Sequence, residues 1–451
     1  MLAAELAPVL QPMADRLGRL DRFAVAGRVT RVVGLVVEAT GIEAGLGTLC
    51  RITSHTRDRS VLAEVVGFNE RHMLLMPLGE LDGLHAGAAV QPLGRTFGVD
   101  VGPGLLGRVL NGLGQPIDGK GPLDASDRVP LAAEPPNPLH RETIDRPLET
   151  GVRTIDGFLT IGRGQRVGIF AGSGVGKSTM LGMVARHAQA DVNVIALLGE
   201  RGREVREFLE HSLGAEGLKR SVVIVATGDQ AALVRARGAL VATAIAEYFR
   251  DQGKQVLLMV DSVTRVAMAW REIGLATGEP PTTKGYPPSV FANLPRLLER
   301  AGNGARGGIT GIYTVLVDGD DFNEPVADAT RSILDGHIVL TRRLAAQNHF
   351  PAIDVLESKS RVRDLIVNDV QKDAAGSLLR LEAAYREKED LIMVGAYQRG
   401  SDPHVDAALQ HRGALLEFLR QRPDETSSYG ETYRAMAQLG EQVTAAVRRT
   451  P

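Results

Sequence analysis

One nine-residue stretch, Ala171-Gly-Ser-Gly-Val-Gly-Lys-Ser-Thr179, restricts the fold of this chain more than any other feature. An apolar run at 165–171 leads into it and a helical run at 180–187 follows. A strand, a loop of small residues and a helix, in that order, make a cradle for phosphate. Gly172, Ser173, Gly174, Val175 and Gly176 let backbone N–H groups converge on phosphate oxygens, and the helix adds its N-terminal dipole. Gly176, Lys177 and Ser178 match the end of G-x-x-x-x-G-K-[ST], with Ala171 in place of the first glycine. Lys177 is the candidate bridge between β- and γ-phosphates, and the Ser178 hydroxyl the candidate Mg²⁺ ligand. Ala171 through Thr179 form the candidate nucleotide-binding set. A chance match is the competing reading, and the strand–loop–helix context argues against it. Lysine is otherwise scarce, eight residues against 44 arginines, so each one merits inspection.

Around the loop, apolar runs alternate with helical stretches from 95 to 374, the signature of an α/β domain. Strands are predicted at 165–171, 192–198, 222–226, 256–260, 312–317 and 337–341. Such near-continuous Val/Ile/Leu runs suit strands buried on both faces of a mainly parallel sheet. Residues 22–94 instead show short β-rich runs at 24–33, 34–39 and 62–67, which predicts a small barrel or sandwich. From 375 to 451 helical periodicity dominates (Leu378, Leu379, Leu381, Ala384, then Leu409, Leu415, Leu416, Leu419). At the front, Leu2, Leu6, Leu10, Met13, Leu17 and Leu20 draw one helical stripe, interrupted by Pro8 and Pro12. Residues 1–21 are therefore either a frayed terminus or a docking helix for a partner.

The run at 256–260 ends in Asp261, 84 residues after Lys177 with another strand between. A carboxylate at a strand's C-terminal edge beside a phosphate loop organises Mg²⁺. The run at 192–198 leads into Gly199-Glu-Arg-Gly-Arg-Glu204. An acid at Glu200 is placed to polarise a water attacking the γ-phosphate. Glu200 and Glu204 equally suit the first turn of a helix, where carboxylates favour the macrodipole. Spacing does not choose between the two.

Composition narrows the classes. Lys+Arg is 52 against Asp+Glu 54, a net charge of −2, so no basic excess points to nucleic acid. Residues 22–94 carry seven Arg, seven acids and no Lys, with Phe23 and Phe68 as their aromatics. A barrel gripping a single strand needs a basic groove and stacking rings, so a structural or oligomer-forming barrel is the better expectation. Cys50 is the single cysteine, which excludes an intrachain disulfide and suits a reducing compartment. No run approaches ~20 consecutive apolar residues, and the N-terminus lacks a signal peptide's basic and apolar regions. A cytoplasmic protein with at most peripheral membrane contact is expected.

With these motifs in place, the chain resembles the rotary ATPase superfamily: the F1 catalytic subunit and its relatives in type III protein export. The Gly199–Glu204 segment resembles the catalytic Gly-Glu-Arg segment, and GRVLNGLGQPIDG at 107–119 resembles the entry to the nucleotide domain. GEPPTTKGYPPSVFANLPRLLERAGN at 278–303 and SILDGHIVLTRRLA at 332–345 are similar to the export ATPases more than to F1 subunits. VGAYQRGSDPH at 394–404 looks more like the flagellar enzyme than the injectisome one.

The resemblance implies a RecA-like P-loop core at 95–374, an N-terminal β-barrel at 22–94 and a helical C-terminal domain at 375–451. It implies that Glu200 activates the lytic water, that Arg201 helps order it, and that Glu204 approaches Mg²⁺ through water. Arg265 matches an arginine near the γ-phosphate, with a local salt bridge as the alternative. Asp354-Val-Leu-Glu-Ser-Lys-Ser-Arg361 matches the segment that delivers an arginine finger to a neighbouring subunit; the alternative is that Arg361 or Arg363 pairs with Asp364. Phe350 aligns with the aromatic that stacks on adenine, with a core phenylalanine as the alternative. The family's second adenine-side aromatic is missing, and Arg422 and Pro423 stand there.

The implied activity is MgATP hydrolysis by a homohexamer that energises export of unfolded proteins by the flagellar apparatus at the inner membrane. Implied partners are a stator-like regulator on residues 1–21, a central coiled-coil stalk, and the export gate, chaperones and substrates. The alternatives are an injectisome ATPase, a rotary synthase subunit and an RNA-translocating ring.

Overall fold

The computed structural model describes residues 26–54, 59–81, 83–317 and 321–449. The stripe expected to dock a partner, at 1–21, lies outside them. The described residues form two compact units, divided between Phe97 and Gly98.

The first unit is a closed antiparallel barrel of six strands: β1 (Gly27–Val33), β2 (Val36–Thr40), β3 (Thr48–Ser54), β4 (Arg59–Asn69), β5 (His72–Pro77) and β6 (Ala89–Thr96). Val33 pairs with Val36, so Gly34 and Leu35 form a two-residue hairpin loop. Gly34 takes φ +57°, the left-handed conformation such loops require. Val29, Val37, Cys50, Ile52, Val65, Leu75 and Val90 point inward as the core. Pairing of β1 with β6 closes the ring and leaves no open edge.

The second unit carries β7 (Gly98–Val101), β8 (Arg108–Asn111), β9 (Asp127–Pro130), β10 (Arg166–Ala171), β11 (Val192–Leu198), β12 (Ser221–Ala226), β13 (Gln255–Asp261), β14 (Gly302–Asn303), β15 (Gly308–Leu316), β16 (Gly336–Leu340) and β17 (Lys359–Ser360). Its main sheet runs β17-β16-β10-β15-β13-β11-β12-β8, with β14 paired to β15. The strands from β16 to β8 are mutually parallel, and β17 is antiparallel to β16. The six strands expected from apolar runs all occur within a few residues of their predicted positions. Every residue of β11 and β12 is buried, as a sheet covered on both faces demands. Register places Ala171 opposite Leu316, and Asp261 opposite Leu197. The carboxyl ends of β10, β11 and β13 therefore share one edge, where open α/β sheets bind ligands.

Three helices, Asp369–Met393, Pro403–Leu419 and Tyr429–Arg449, close the chain. Asn368 and Asp402 cap the first two, each accepting backbone N–H bonds in the first turn. Leu378, Leu381, Phe418 and Met436 join the core that covers the sheet. Phe418 meets Phe158 edge-to-face with ring centroids 6.0 Å apart. Among the described residues no helix is long and apolar enough to cross a membrane.

Candidate functional site

β10 delivers the loop and the Lys177–His187 helix receives it. Val175 is buried and anchors the loop, while Ser173, Gly174, Ser178 and Thr179 are exposed at the helix entrance. Gly174 and Gly176 take φ +80° and +84°, a conformation that an L side chain strains to adopt. Gly176 has a second constraint: a Cβ there would fall 3.3 Å from the Phe350 ring. Phe350 thus lies against the loop and is not a core residue; 38% of its surface is exposed.

The Lys177 ammonium stands between two carboxylates, bonded to Asp261 and 3.4 Å from Glu200 Oε1. Burial opposes its charge, but Asp261 and Glu200 outweigh burial and hold its pKa above the ordinary lysine value. The Glu200 carboxyl is shifted upward, first by burial; Lys177 opposes the shift, and the adjacent Glu204 carboxylate adds to it by accepting from protonated Glu200 and repelling its charge. Arg201 is largely exposed and lies 3.6 Å from Glu204. Its ion partner is thus Glu204, and it reaches Glu200 only through that second carboxylate.

Arg265 occupies the first turn of the Val263–Ala276 helix, capped by Ser262. Its stem crosses Gly199, where a Cβ would fall 2.8 Å from Arg265 Cβ and Cγ. Its Nε is buried without a hydrogen-bond partner, and the local salt bridge offered as an alternative is not formed. A buried guanidinium nitrogen without an acceptor, beside Glu200, suits an anion.

Phe350 forms one wall of a cavity of about 720 Å³, and Gln421, Arg422 and Pro423 form another. The far wall is thus polar: Arg422 is exposed and pairs with Asp424 at 3.2 Å. The Gln421 N–H donates to the Phe350 carbonyl at 2.8 Å. Its side chain is buried and bonds the Arg153 N–H and the Gly151 and Glu425 carbonyls.

Arg361 is not among these groups. Ser360 pairs with Gly336 at the start of β16, whereas Leu340 at its end lies opposite Ala171. Arg361 is therefore five residues, roughly 16 Å at ~3.3 Å per residue, from the level of the phosphate loop. Arg363, not Arg361, pairs with Asp364.

Two contributors carry little sequence signal. Thr314, fully buried on β15, donates to Asp261 Oδ1 at 2.6 Å; its strand also carries Thr310 and Tyr313, so its hydroxyl does not stand out in the sequence. Gln421 had no clue beyond its place near the absent aromatic. Ser178, Asp261 and Glu204 offer hard oxygen donors that fit Mg²⁺. Among the described residues no three His, Cys, Asp or Glu side chains gather as a metal-holding group. A dication here would complete its shell from phosphate and water, as Mg²⁺ ordinarily does.

Family models match three consecutive parts of the chain: the ATP synthase alpha/beta family beta-barrel domain at 29–94, its nucleotide-binding domain at 151–360, and the T3SS EscN ATPase C-terminal domain at 367–438. The chain is 53% identical over 430 residues to the flagellum-specific ATP synthase of Bacillus subtilis, covering 95% of this chain and 98% of that one. It is 54% identical to the type 3 secretion system ATPase of Xanthomonas euvesicatoria, covering 94% and 96%. The assembled ATPase EscN from enteropathogenic E. coli superposes with a TM-score of 0.88 at 46% identity, covering 92% of this chain and all of that one. EscN in complex with its central stalk EscO gives 0.85 over the same share.

Proposed function

Because this chain belongs to the ATP synthase alpha/beta family, in its branch of flagellar and type III secretion ATPases, we propose that it hydrolyses MgATP as a homohexameric ring that energises export of unfolded proteins through the flagellar apparatus. The observation that carries the reading is the convergence of Lys177, Glu200 and Asp261 at the mouth of the phosphate loop. A lysine binds transferring phosphate, and a half-buried carboxylate of raised pKa beside it suits activation of water.

In this reading the loop amides and Lys177 hold the β- and γ-phosphates. Ser178 and Asp261 would hold Mg²⁺, with Glu204 reaching it through water; the ion's role is to neutralise charge on the phosphate oxygens. Glu200 takes the proton of the attacking water, with Arg201 ordering the acid pair through Glu204. Arg265, its Nε free, faces the γ-phosphate, and Phe350 stacks on adenine. Arg361 is too far along the sheet to serve its own loop, which supports its acting in a neighbouring copy. A guanidinium there would meet the charge spread over the phosphoryl oxygens. One chain carrying both Glu200 and Arg361 supports a ring of identical subunits.

The test is turnover by purified protein and its Glu200→Gln variant. Loss of hydrolysis with nucleotide affinity retained supports the assignment, and unchanged turnover rejects it. The proposed partners are a central stalk, which a relative is seen to bind, a regulator on residues 1–21, and export gate, chaperones and cargo. Loss of motility, rather than of needle-type secretion, on deleting the chain would assign it to the flagellar system. We place it in the cytoplasm, peripheral to the inner membrane.

A further inference from the structure

The strand that ends in the phosphate loop begins at the root of Arg361. Gln165, immediately before β10, is fully buried. Its Oε1 accepts the Gly162 N–H at 2.8 Å. Its Nε2 donates to the Asp335 carbonyl and to Ser360 Oγ, each at 3.1 Å. The Ser360 hydroxyl in turn donates to the Thr160 carbonyl at 3.0 Å. The same Asp335 carbonyl accepts the backbone N–H of Arg361 at 2.9 Å. The Asp335 carboxylate in turn holds Arg166, the first residue of β10, through its N–H at 3.1 Å and its guanidinium at 3.0 and 3.2 Å.

Root and tip of Arg361 therefore differ sharply. The root is fixed by hydrogen bonds from the buried Gln165 amide that span 170 and 195 residues of sequence. The guanidinium is exposed, and its contact is with the Arg331 carbonyl at 3.4 Å. β17 itself has two residues, paired with Gly336 and His337, too short to hold its own position firmly. Gly336 is a glycine for a matching reason: a Cβ there would fall 2.7 Å from the Lys359 carbonyl and 3.2 Å from Gln165 Nε2.

We infer that Gln165, with Asp335, positions Arg361 for the neighbouring subunit's phosphoryl group, so that β10 carries the subunit's own phosphate loop at one end and the mounting of its finger at the other. The inference rests on the reading of Arg361 as a finger. An unrooted finger would place its charge imprecisely, and a displacement of ~1 Å costs on the order of 10²-fold in rate. A purely structural amide would satisfy the same bonds without depending on Arg361, and the two roles separate experimentally.

The experiment uses the full-length assembled protein and compares Gln165→Met, Ser360→Ala, Arg361→Ala and the double variant Gln165→Met/Arg361→Ala. Gln165→Met keeps volume and removes both donors; Ser360→Ala removes one acceptor with the smaller risk to folding. Arg361→Ala is expected to lower kcat by ~10³-fold, and Gln165→Met by ~10-fold or more. KM and the affinity for a fluorescent ATP analogue should stay within about 2-fold, because the loop lies at the other end of the strand. The double variant should turn over no more slowly than Arg361→Ala alone, since residues acting as one unit are non-additive. Losses that multiply in the double variant, or a fall in kcat that tracks loss of assembly, overturn the inference. So do wild-type rates in both Gln165→Met and Ser360→Ala while Arg361→Ala is impaired, a result that leaves the finger itself standing. A wild-type rate in Arg361→Ala overturns the finger reading instead.

Discussion

The Thr314 hydroxyl donates to Asp261 Oδ1 across 2.6 Å, so the carboxylate that faces Lys177 is held by a strand neighbouring its own. Both side chains are buried, and a hydrogen bond to a charged group is worth ~1.5–3 kcal/mol. Thr314→Val keeps the shape and removes the donor. Turnover is expected to fall by ~10-fold, with a higher Mg²⁺ requirement, read from initial rates across a Mg²⁺ titration. A wild-type Mg²⁺ profile would remove Thr314 from the site.

As the proposed base, Glu200 must be ionised to accept a proton, and its folded pKa lies above the ordinary carboxylate value. Activity is therefore present above that raised pKa and lost as pH falls through it. Glu204 contributes to the rise, so Glu204→Gln should move the acid limb of kcat toward lower pH. The measurement is a pH–rate profile of both proteins; coincident acid limbs would show that Glu204 does not govern the base.

At the proposed base pocket, Phe350→Ala is expected to raise KM for ATP by ~10-fold, consistent with ~1–3 kcal/mol for base–aromatic stacking. kcat should change less, because the contact is remote from the phosphates. Arg422→Tyr would place a ring on the polar far wall and is expected to lower KM. Equal KM values for wild type and Phe350→Ala would return Phe350 to a packing role.

His349 is buried beside the same pocket, and burial, with Arg420 and Arg412, pushes its pKa down to about 4. An unfolded histidine titrates near ~6.5, so the native state binds fewer protons between those values. The stability that neutral His349 contributes is complete above ~6.5 and is lost as pH falls toward 4. His349→Gln should therefore flatten the decline of Tm between pH 7 and 5, measured by calorimetry. Parallel declines would assign the acid sensitivity to other groups.

Much of this was legible locally. The phosphate loop, Asp261 after its strand and Glu200 after another are each announced by neighbours in sequence, because apolar periodicity and glycine spacing are short-range properties. The missing aromatic at Arg422 was legible too, and Arg422 and Pro423 line the same cavity as Phe350. Contacts between distant segments left weaker marks. Arg201 stands beside Glu200 in sequence, yet its side chain pairs with Glu204. Thr314 lies 53 residues from Asp261, and Ser360 lies 195 from Gln165.

The nine residues from Ala171 to Thr179 by themselves determined that this chain binds phosphate and that a strand and a helix flank the loop. The positive φ values there call for glycines at 174 and 176, a requirement set within the loop itself. Only the tertiary structure decided which groups face Lys177 and that Arg361 does not. Sheet register sets that answer: Ala171 lies opposite Leu340 while Ser360 lies opposite Gly336. The loop follows the carboxyl end of β10, whereas Arg361, just past β17, lies beside the opposite end of its parallel neighbour β16, a relation fixed by pairing across the sheet and invisible along the chain.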